Sequence, residues 1–573
     1  MSRAFFTLLM ASIVAMVAPD MLINPDFENG INGWHSDGFT MSTDNTHVKH
    51  GVASVKCSGR TKKDQGPSQF VTLKPGGRYT FNGFIKLAND HGYQDVHVTV
   101  ELRHSSGPNE YIRVSNHEHM SAADDWVHVG GNFIVPNNHA ISQARVYVEG
   151  PLPSVDFYFD NAAMSELVVD PNWKTDANSR IEANRKSNIH LNFHVASNFN
   201  VNDLKVKIDL TKHLFGFGTL IRSDYMIGSS HQHYKDVLSY MFNWAVVQDY
   251  KWKFNNGTLT HPDYTRAVAA TEELHRLGLN VRGHCMFWAN PEKEPPSVRA
   301  LSGQDLKHAV DERIRFMTSI TKGKLSHWDV YNEDLHFHMY EEHTGDYGYI
   351  QHMFRTVHAA DPTPLLFLND YNIVAQGSYT LAYLSQIQKL KAANVGLGGV
   401  GIQSHYKDFT EPDLTLVKHR LDVLNIAGLP LWITELDLSS HDENAKADGY
   451  ENVIRLYFSH PGVHGVLLWG FWDDYMNASR ALANGNSITL NKAGQRFVQL
   501  TKHEWSTHVN RSLSTGTSFS VRGFQGDYDV VVLYHDKPIK RQTFTLGKGD
   551  LTVDVNISGT GQQITVPVQR YPF

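Results

Sequence analysis

Cysteine is almost missing from this chain: Cys57 and Cys285 are the only two in 573 residues, and they lie too far apart to imply a disulfide framework. Stability must therefore come from buried apolar surface, and 41 % hydrophobic residues over this length can fill the cores of two to four domains. A surplus of one charge is missing as well. With 52 Lys+Arg against 59 Asp+Glu and no long charged run, there is no basic stripe to neutralise a polyanion, which argues against nucleic acid as a partner. Long hydrophobic runs are missing after the start. The one run, Ala4 to Ala18, follows Met1-Ser2-Arg3 and precedes Pro19-Asp20, and it is shorter than the ~20 residues of a membrane span. It reads as a signal peptide over 1–18, so a secreted, extracellular protein with no membrane partner is expected. Asn256, Asn477, Asn510 and Asn556 each open an Asn-X-Ser/Thr tripeptide and are glycan acceptors in a eukaryotic host. No internal repeat or low-complexity segment is present.

What the chain does contain is a change of rhythm. Residues 21–167 form short alternating segments, among them Arg78–Lys86, Asp95–Arg103 and Ala144–Glu149, punctuated by Gly, Pro and Asn, as a β-sandwich requires. Residues 168–212 read as a linker helix (Lys174 to Lys186) followed by a small β segment. From 213 to 505 apolar strands alternate with amphipathic stretches. The strands expected are Phe215–Ile221, Trp244–Trp252, Asn280–Trp288, His327–Glu333, Pro364–Asn372, Gly398–Tyr406, Pro430–Leu438 and Gly465–Asp473; the helix-length stretches include Asp263–Leu277, Gln304–Ile320, Asp346–Ala360 and Tyr379–Ala393. Eight such units predict a (β/α)8 TIM barrel with its site at the strands' C-terminal ends. Residues 506–573 return to short strands and predict a small C-terminal β domain, making the whole a multidomain chain.

Two strand stretches, His327-Trp-Asp-Val-Tyr-Asn-Glu333 and Leu431-Trp-Ile-Thr-Glu435, run straight into a glutamate. A carboxyl at the end of a buried strand has lost hydration, which is useful when its proton or charge does chemistry. Two facing carboxyls can divide acetal hydrolysis between an acid and a nucleophile. Six strand ends, Arg282-Gly283-His284 with Trp288, Asp329 to Glu333, Asn369 to Asn372, Gln403-Ser404-His405, Thr434 to Asp437 and Leu468-Trp469-Gly470, occur in an order that resembles glycoside hydrolase family 10, the endo-β-1,4-xylanase family. The resemblance implies Glu333 as acid/base and Glu435 as nucleophile, with His405 and Asn332 as the donors that keep Glu435 ionised. It also places Lys251, His284, Trp288, Gln403 and Trp469 around the sugar. The chain departs from the family pattern at Val247-Gln248, Ala289 and Asn477, near the sugar's outer hydroxyl, where xylose and glucose differ.

Each feature has a plainer reading. A strand-end glutamate can cap a helix or pair with arginine, and tryptophans in apolar runs, Trp472 among them, are often core. The loop His336-Phe337-His338 with Glu341 and His343 has metal-ligand spacing, but is ordinary in a chain with 33 histidines. Cys285 reads as a small buried apolar residue. Residues 22–167 resemble carbohydrate-binding modules of families 4 and 9. By that resemblance Phe84, Tyr111 and Glu149 present to glycan, and Glu28 and Asp160 are ligands for a structural calcium, an oxygen-seeking cation. The expectation is a secreted, monomeric, retaining endo-β-1,4-xylanase that acts on plant cell-wall xylan, needs no catalytic cofactor, and carries a module that holds it to polymer. A broader enzyme that also cuts β-1,4-glucan, and a non-catalytic glycan-binding protein, are the alternatives.

Overall fold

A computed structural model describes residues 20–137, 140–406, 411–566 and 572; the expected signal peptide at 1–18 lies outside the described residues. The centre is a ring of eight parallel strands: β1 (Gly216–Leu220), β2 (Trp244–Val247), β3 (Asn280–Gly283), β4 (His327–Asn332), β5 (Leu365–Asp370), β6 (Leu397–Ile402), β7 (Leu431–Leu436) and β8 (Val463–Leu468). Pairing of Gly216 with Gly465 and of Arg282 with His327 closes the ring. The expected helices are present at Thr265–Arg276, Gly303–Thr321, Tyr349–Ala360 and Thr380–Ala392. In Gly303–Thr321, Leu306, Val310, Ile314 and Met317 are buried, the three-and-four spacing that lays one helix face on the barrel.

Several strands stop earlier than the apolar pattern predicts. Ladder pairing of β2 ends at Val247, and the chain passes through two short turns that still bury Tyr250 and Trp252. The third expected strand breaks after Gly283 and resumes only as Phe287–Trp288. Burial continues where the ladder stops, so apolar content alone cannot mark the end. These turns are what aim Lys251 and His284 inward.

The barrel interior is layered. At one level Trp244, His327, Phe367 and Trp432 pack with ring centroids 4.4–4.6 Å apart. Gly216 and Gly465 make room for Trp432; a Cβ on either would meet its ring at 2.4 or 2.1 Å. Beside that layer the buried side chains turn polar, beginning with Arg282, whose guanidinium lies 4.3 Å from the Phe367 ring.

The flanking segments rearrange the expected domain list. Strand Lys186–Val195 pairs with Ser518–Phe524 and Leu551–Ile557, and Leu204–His213 pairs with His508–Ser512 and Gly526–Tyr534. The "linker" β segment and the C-terminal strands are thus one β unit, built from both sides of the barrel and sharing its core. Sequence distance concealed the partnership. The linker helix, Trp173–Arg185, is docked: Arg185 donates to the carbonyls of Phe458, His460 and Val463.

Residues 40–166 form the expected antiparallel sandwich, a five-stranded sheet facing a four-stranded one over Phe27, Trp34, Phe81, Val98, Val146 and Phe159. It sits on the barrel. Buried Arg420 donates to Asn132 Oδ1 at 2.6 Å and to the Val374 carbonyl at 2.7 Å, and Tyr379 donates to Glu118 at 2.5 Å. Cys57 and Cys285 are free and buried, one in each body. All four glycan-acceptor asparagines are exposed. Among the described residues no helix is long and apolar enough to cross a membrane.

Candidate active site

Glu333 follows β4 and Glu435 lies within β7, and both line one cavity of about 410 Å³ at the strands' C-terminal ends. Glu333 is held at φ 63°, a left-handed conformation that costs about 1–3 kcal/mol for a residue with a Cβ. Its amide donates to the Asn369 carbonyl at 2.9 Å, which fixes the turn. Glu435 arrives by a bulge. Ile433 and Leu436 of β7 face Val466 and Leu468 of β8, so β7 carries one extra residue, and Thr434 and Glu435 both reach Asn369.

The two carboxyls have different surroundings. Burial pushes the Glu333 pKa up, and nearby Asp370 and Glu435 push the same way. Trp288 Nε1 donates to Glu333 Oε2 at 2.6 Å and Gln403 Nε2 to Oε1 at 3.1 Å, but burial outweighs them. For Glu435 burial also pushes up, yet the balance reverses: hydrogen bonding from His405, with the charges of His284, His405 and Lys251, holds its pKa below the usual carboxylate value. His405 Nε2 lies 3.2 Å from Glu435 Oε2, and its Nδ1 lies 3.0 Å from Asp437 Oδ1. Burial alone would lower the His405 pKa, but these two carboxylates raise it to about 10, so the ring is positive at neutral pH.

The other oxygen of Glu435 is held differently from expectation. Asn369 Nδ2 donates to Oε1 at 2.8 Å and to Asn332 Oδ1 at 2.9 Å. The donor is therefore Asn369, not Asn332, because Asn332 turns its carbonyl into the network; its Nδ2 is buried without a partner among the described residues and borders the cavity. His284 stands behind Glu435 with Nε2 at 3.8 Å, oriented by Asp329, which is clamped in turn by the two-pronged Arg282. Burial lowers the His284 pKa, favouring the neutral ring, a fitting donor or acceptor for a sugar hydroxyl.

Lys251, Trp288 and Trp469 meet as expected: Lys251 Nζ is 4.4 Å from the Trp288 ring centroid and 5.4 Å from that of Trp469. Gln248 accepts from Lys251 at 3.2 Å and donates to Tyr475, so the departure at this position is tied into the wall. Trp472 is core, its indole N–H spent on the Gly485 carbonyl. Sequence reading assigned no role to Asn290, Lys293, Phe337 and Tyr371, which complete the cavity. They lie in loops after β3, β4 and β5, where no periodicity speaks; only their nearness to Trp288, Glu333 and Asn369 was a signal.

In the module the three glycan candidates do not form one group. Tyr111 and Glu149 lie on the four-stranded sheet, with Arg113 3.4 Å from Glu149; Phe84 lies on the opposite sheet, stacked on His128 at 4.5 Å. The resemblance named all three as glycan-facing, but sequence alone does not say on which sheet each lies. Glu28 and Asp160 do not fit a cation shell as arranged. Asp160 accepts backbone N–H bonds from Lys49, His50 and Asn161, and Glu28 Oε1 accepts from Val52 and Ala53, so both carboxylates are already engaged by backbone donors.

The profile described as Glycosyl hydrolase family 10 matches residues 207–495, just over half of the chain, and one described as Carbohydrate binding domain matches residues 19–156. This chain belongs to glycosyl hydrolase family 10. It is 30 % identical over 527 residues to Endo-1,4-beta-xylanase 3 of Arabidopsis thaliana, covering 89 % of this chain and 67 % of that protein. It is 35 % identical over 384 residues to Anti-sigma-I factor RsgI6 of Acetivibrio thermocellus, covering 66 % of this chain and 49 % of that one. The chain thus spans two thirds of the first relative and about half of the second. Native xylanase 10B from Thermotoga maritima aligns at 22 % identity over 51 % of this chain and 96 % of its own, with a TM-score of 0.47. Membership of family 10 makes this chain a glycoside hydrolase.

Proposed function

We propose that this family 10 protein is a secreted, retaining endo-β-1,4-xylanase. The observation that carries the reading is the opposite tuning of two carboxyls in one cavity, Glu333 upward and Glu435 downward. The protonated Glu333 gives its proton to the leaving glycosidic oxygen while ionised Glu435 attacks the anomeric carbon from the other face, forming a glycosyl-enzyme ester. Ester formation removes the Glu435 charge that raises the Glu333 pKa. Glu333, now ionised, takes a proton from water, whose oxygen displaces Glu435 and restores both groups. His405, charged and braced by Asp437, keeps Glu435 ionised; the ring faces of Trp288 and Trp469 and the polar ends of Lys251 and His284 receive the sugar. The xylanase names of its relatives support xylan as the polymer, and the apolar run Ala4 to Ala18 supports secretion.

The Gln248–Tyr475 contact favours a second reading, a broader enzyme that also cleaves β-1,4-glucan, because it remodels the wall beside Lys251. Both are tested by following early products by NMR from xylan and a soluble β-1,4-glucan, with wild type and Glu435→Ala. β-Anomeric products from xylan alone, lost in the variant, fit the xylanase; cleavage of both polymers fits the broader enzyme. No cleavage by wild type sinks the catalytic reading.

A further inference from the structure

Immediately beyond Glu333 the chain builds a second cluster of acids and imidazole, at the seam where the module meets the barrel. One donor atom from each of Asp334, His338 and Glu341 lies within 4.8 Å of the others, and the two acids are 7 % and 4 % exposed. Asp334 Oδ2 accepts from Gln386, and its Oδ1 lies 3.7 Å from His338 Nδ1; Glu341 Oε2 accepts from the Tyr331 hydroxyl at 2.6 Å, whereas Glu341 Oε1 and His338 Nε2 are buried without hydrogen-bond partners among the described residues. Leaving a polar atom buried and unpaired costs about 1–3 kcal/mol, and more for a charged one. Restraint of one carboxylate oxygen with the other left free is the arrangement that outer hydrogen bonds give a metal ligand.

We propose that Asp334, His338 and Glu341 bind one divalent transition-metal ion of the zinc class at this seam. Two carboxylate oxygens and one imidazole nitrogen are a donor set that zinc accepts, with water completing the shell. The donors, within 4.8 Å of one another, must draw in by at most about 1–1.5 Å to reach the separation set by metal bonds of about 2.0–2.2 Å. The module is part of the same place. His119 meets His338 with ring centroids 3.4 Å apart and the rings tilted by 46°, and Glu118, His119 and His338 form a second set within 4.8 Å. An ion on the barrel set therefore sits against the module and ties it to the loop that carries Glu333.

The test uses the full-length protein, stripped with chelator and titrated with Zn²⁺ by calorimetry, and with Co²⁺ for its ligand-field absorption. Wild type should bind one equivalent above the background of surface histidines, and its Tm should rise with Zn²⁺. Glu341→Gln and His338→Asn should each weaken that equivalent at least tenfold and abolish the Tm rise, while Glu118→Gln should keep both. Glu341→Gln is isosteric, so it decides the matter if His338→Asn fails to fold. No saturable equivalent in wild type, or loss of binding in Glu118→Gln with retention in Glu341→Gln, overturns the assignment.

Discussion

The barrel mouth and the module seam both bury carboxylates beside imidazoles, and they treat them in opposite ways. In the mouth both oxygens of Glu435 are engaged, by Asn369 and His405, and the two histidines are braced by Asp329 and Asp437. Such a network fixes which groups are charged before any ligand arrives, which is what preorganised catalysis needs. The seam pairs Asp334 with His338 at 3.7 Å but leaves Glu341 Oε1 and His338 Nε2 buried without a hydrogen-bond partner among the described residues. The same residue types make a finished site in one place and an open one in the other. The difference lies in the neighbours.

The sharpest way to break the mouth is to remove the acid. Glu333→Ala should slow xylan hydrolysis by about 10²- to 10⁴-fold, the worth of a positioned proton donor, and should slow activated aryl xylosides far less in the glycosylation step. Equal losses on both would remove Glu333 from the acid role. The raised Glu333 pKa also fixes a sign for the proposed mechanism: the protonated form is lost as pH rises through that value, so the alkaline limb of activity is expected to follow Glu333 and to vanish in Glu333→Gln.

At the seam, Arg420→Ala removes the donor that serves Asn132 and the carbonyls of Val374 and Ala375 at once. A loss on the order of 3 kcal/mol is expected from the orphaned acceptors, read as a lower Tm and faster proteolysis between the bodies. Turnover of a soluble xylo-oligosaccharide at a temperature where the variant is folded should hold, because Arg420 does not line the cavity. A matching fall in turnover would mean that docking of the module shapes the mouth.

His405→Asn tests the mouth's charge setting more gently. Without this cation the Glu435 carboxyl loses its strongest downward influence and its pKa rises, so the acid limb, where Glu435 is protonated as pH falls, should move to higher pH. The loss in kcat/KM near neutral pH should be about 10- to 100-fold, the worth of one charge-assisted hydrogen bond. An unmoved acid limb would assign the depression of the Glu435 pKa to His284 and Lys251 instead.

The barrel and both glutamates were legible in the sequence because strand ends carry chemistry in a fixed order and the helices between them have strong periodicity. Less legible was anything set by a partner far along the chain. Asn369 and Asn332 look alike at two strand ends, and only side-chain orientation decides which one donates to Glu435. Lys186–Val195 looks like a linker until Ser518–Phe524 lies beside it. The spacing of His338 and Glu341 was visible, but Asp334 joins them only because the chain turns after Glu333, and His119 only because the module docks there. Local pattern reports elements; it does not report which buried atoms remain unsatisfied.

The module poses the same contrast in a milder form, between its two outer faces. Tyr111 is 59 % exposed on the four-stranded sheet that also carries Glu149, whose carboxylate is paired with Arg113. Phe84, on the other sheet, is already covered by His128 and by Lys49 Nζ at 4.7 Å, so its ring face is spent within the protein. If glycan binds the four-stranded face, Tyr111→Ala should weaken retention on insoluble xylan about 3- to 10-fold, the ordinary worth of one aromatic contact, and leave turnover of soluble oligosaccharides unchanged. Phe84→Ala should leave retention unchanged, since the sugar never reaches that ring. The reverse pattern in a pull-down on xylan would move the binding face to the five-stranded sheet, and with it the direction from which polymer is led to the barrel.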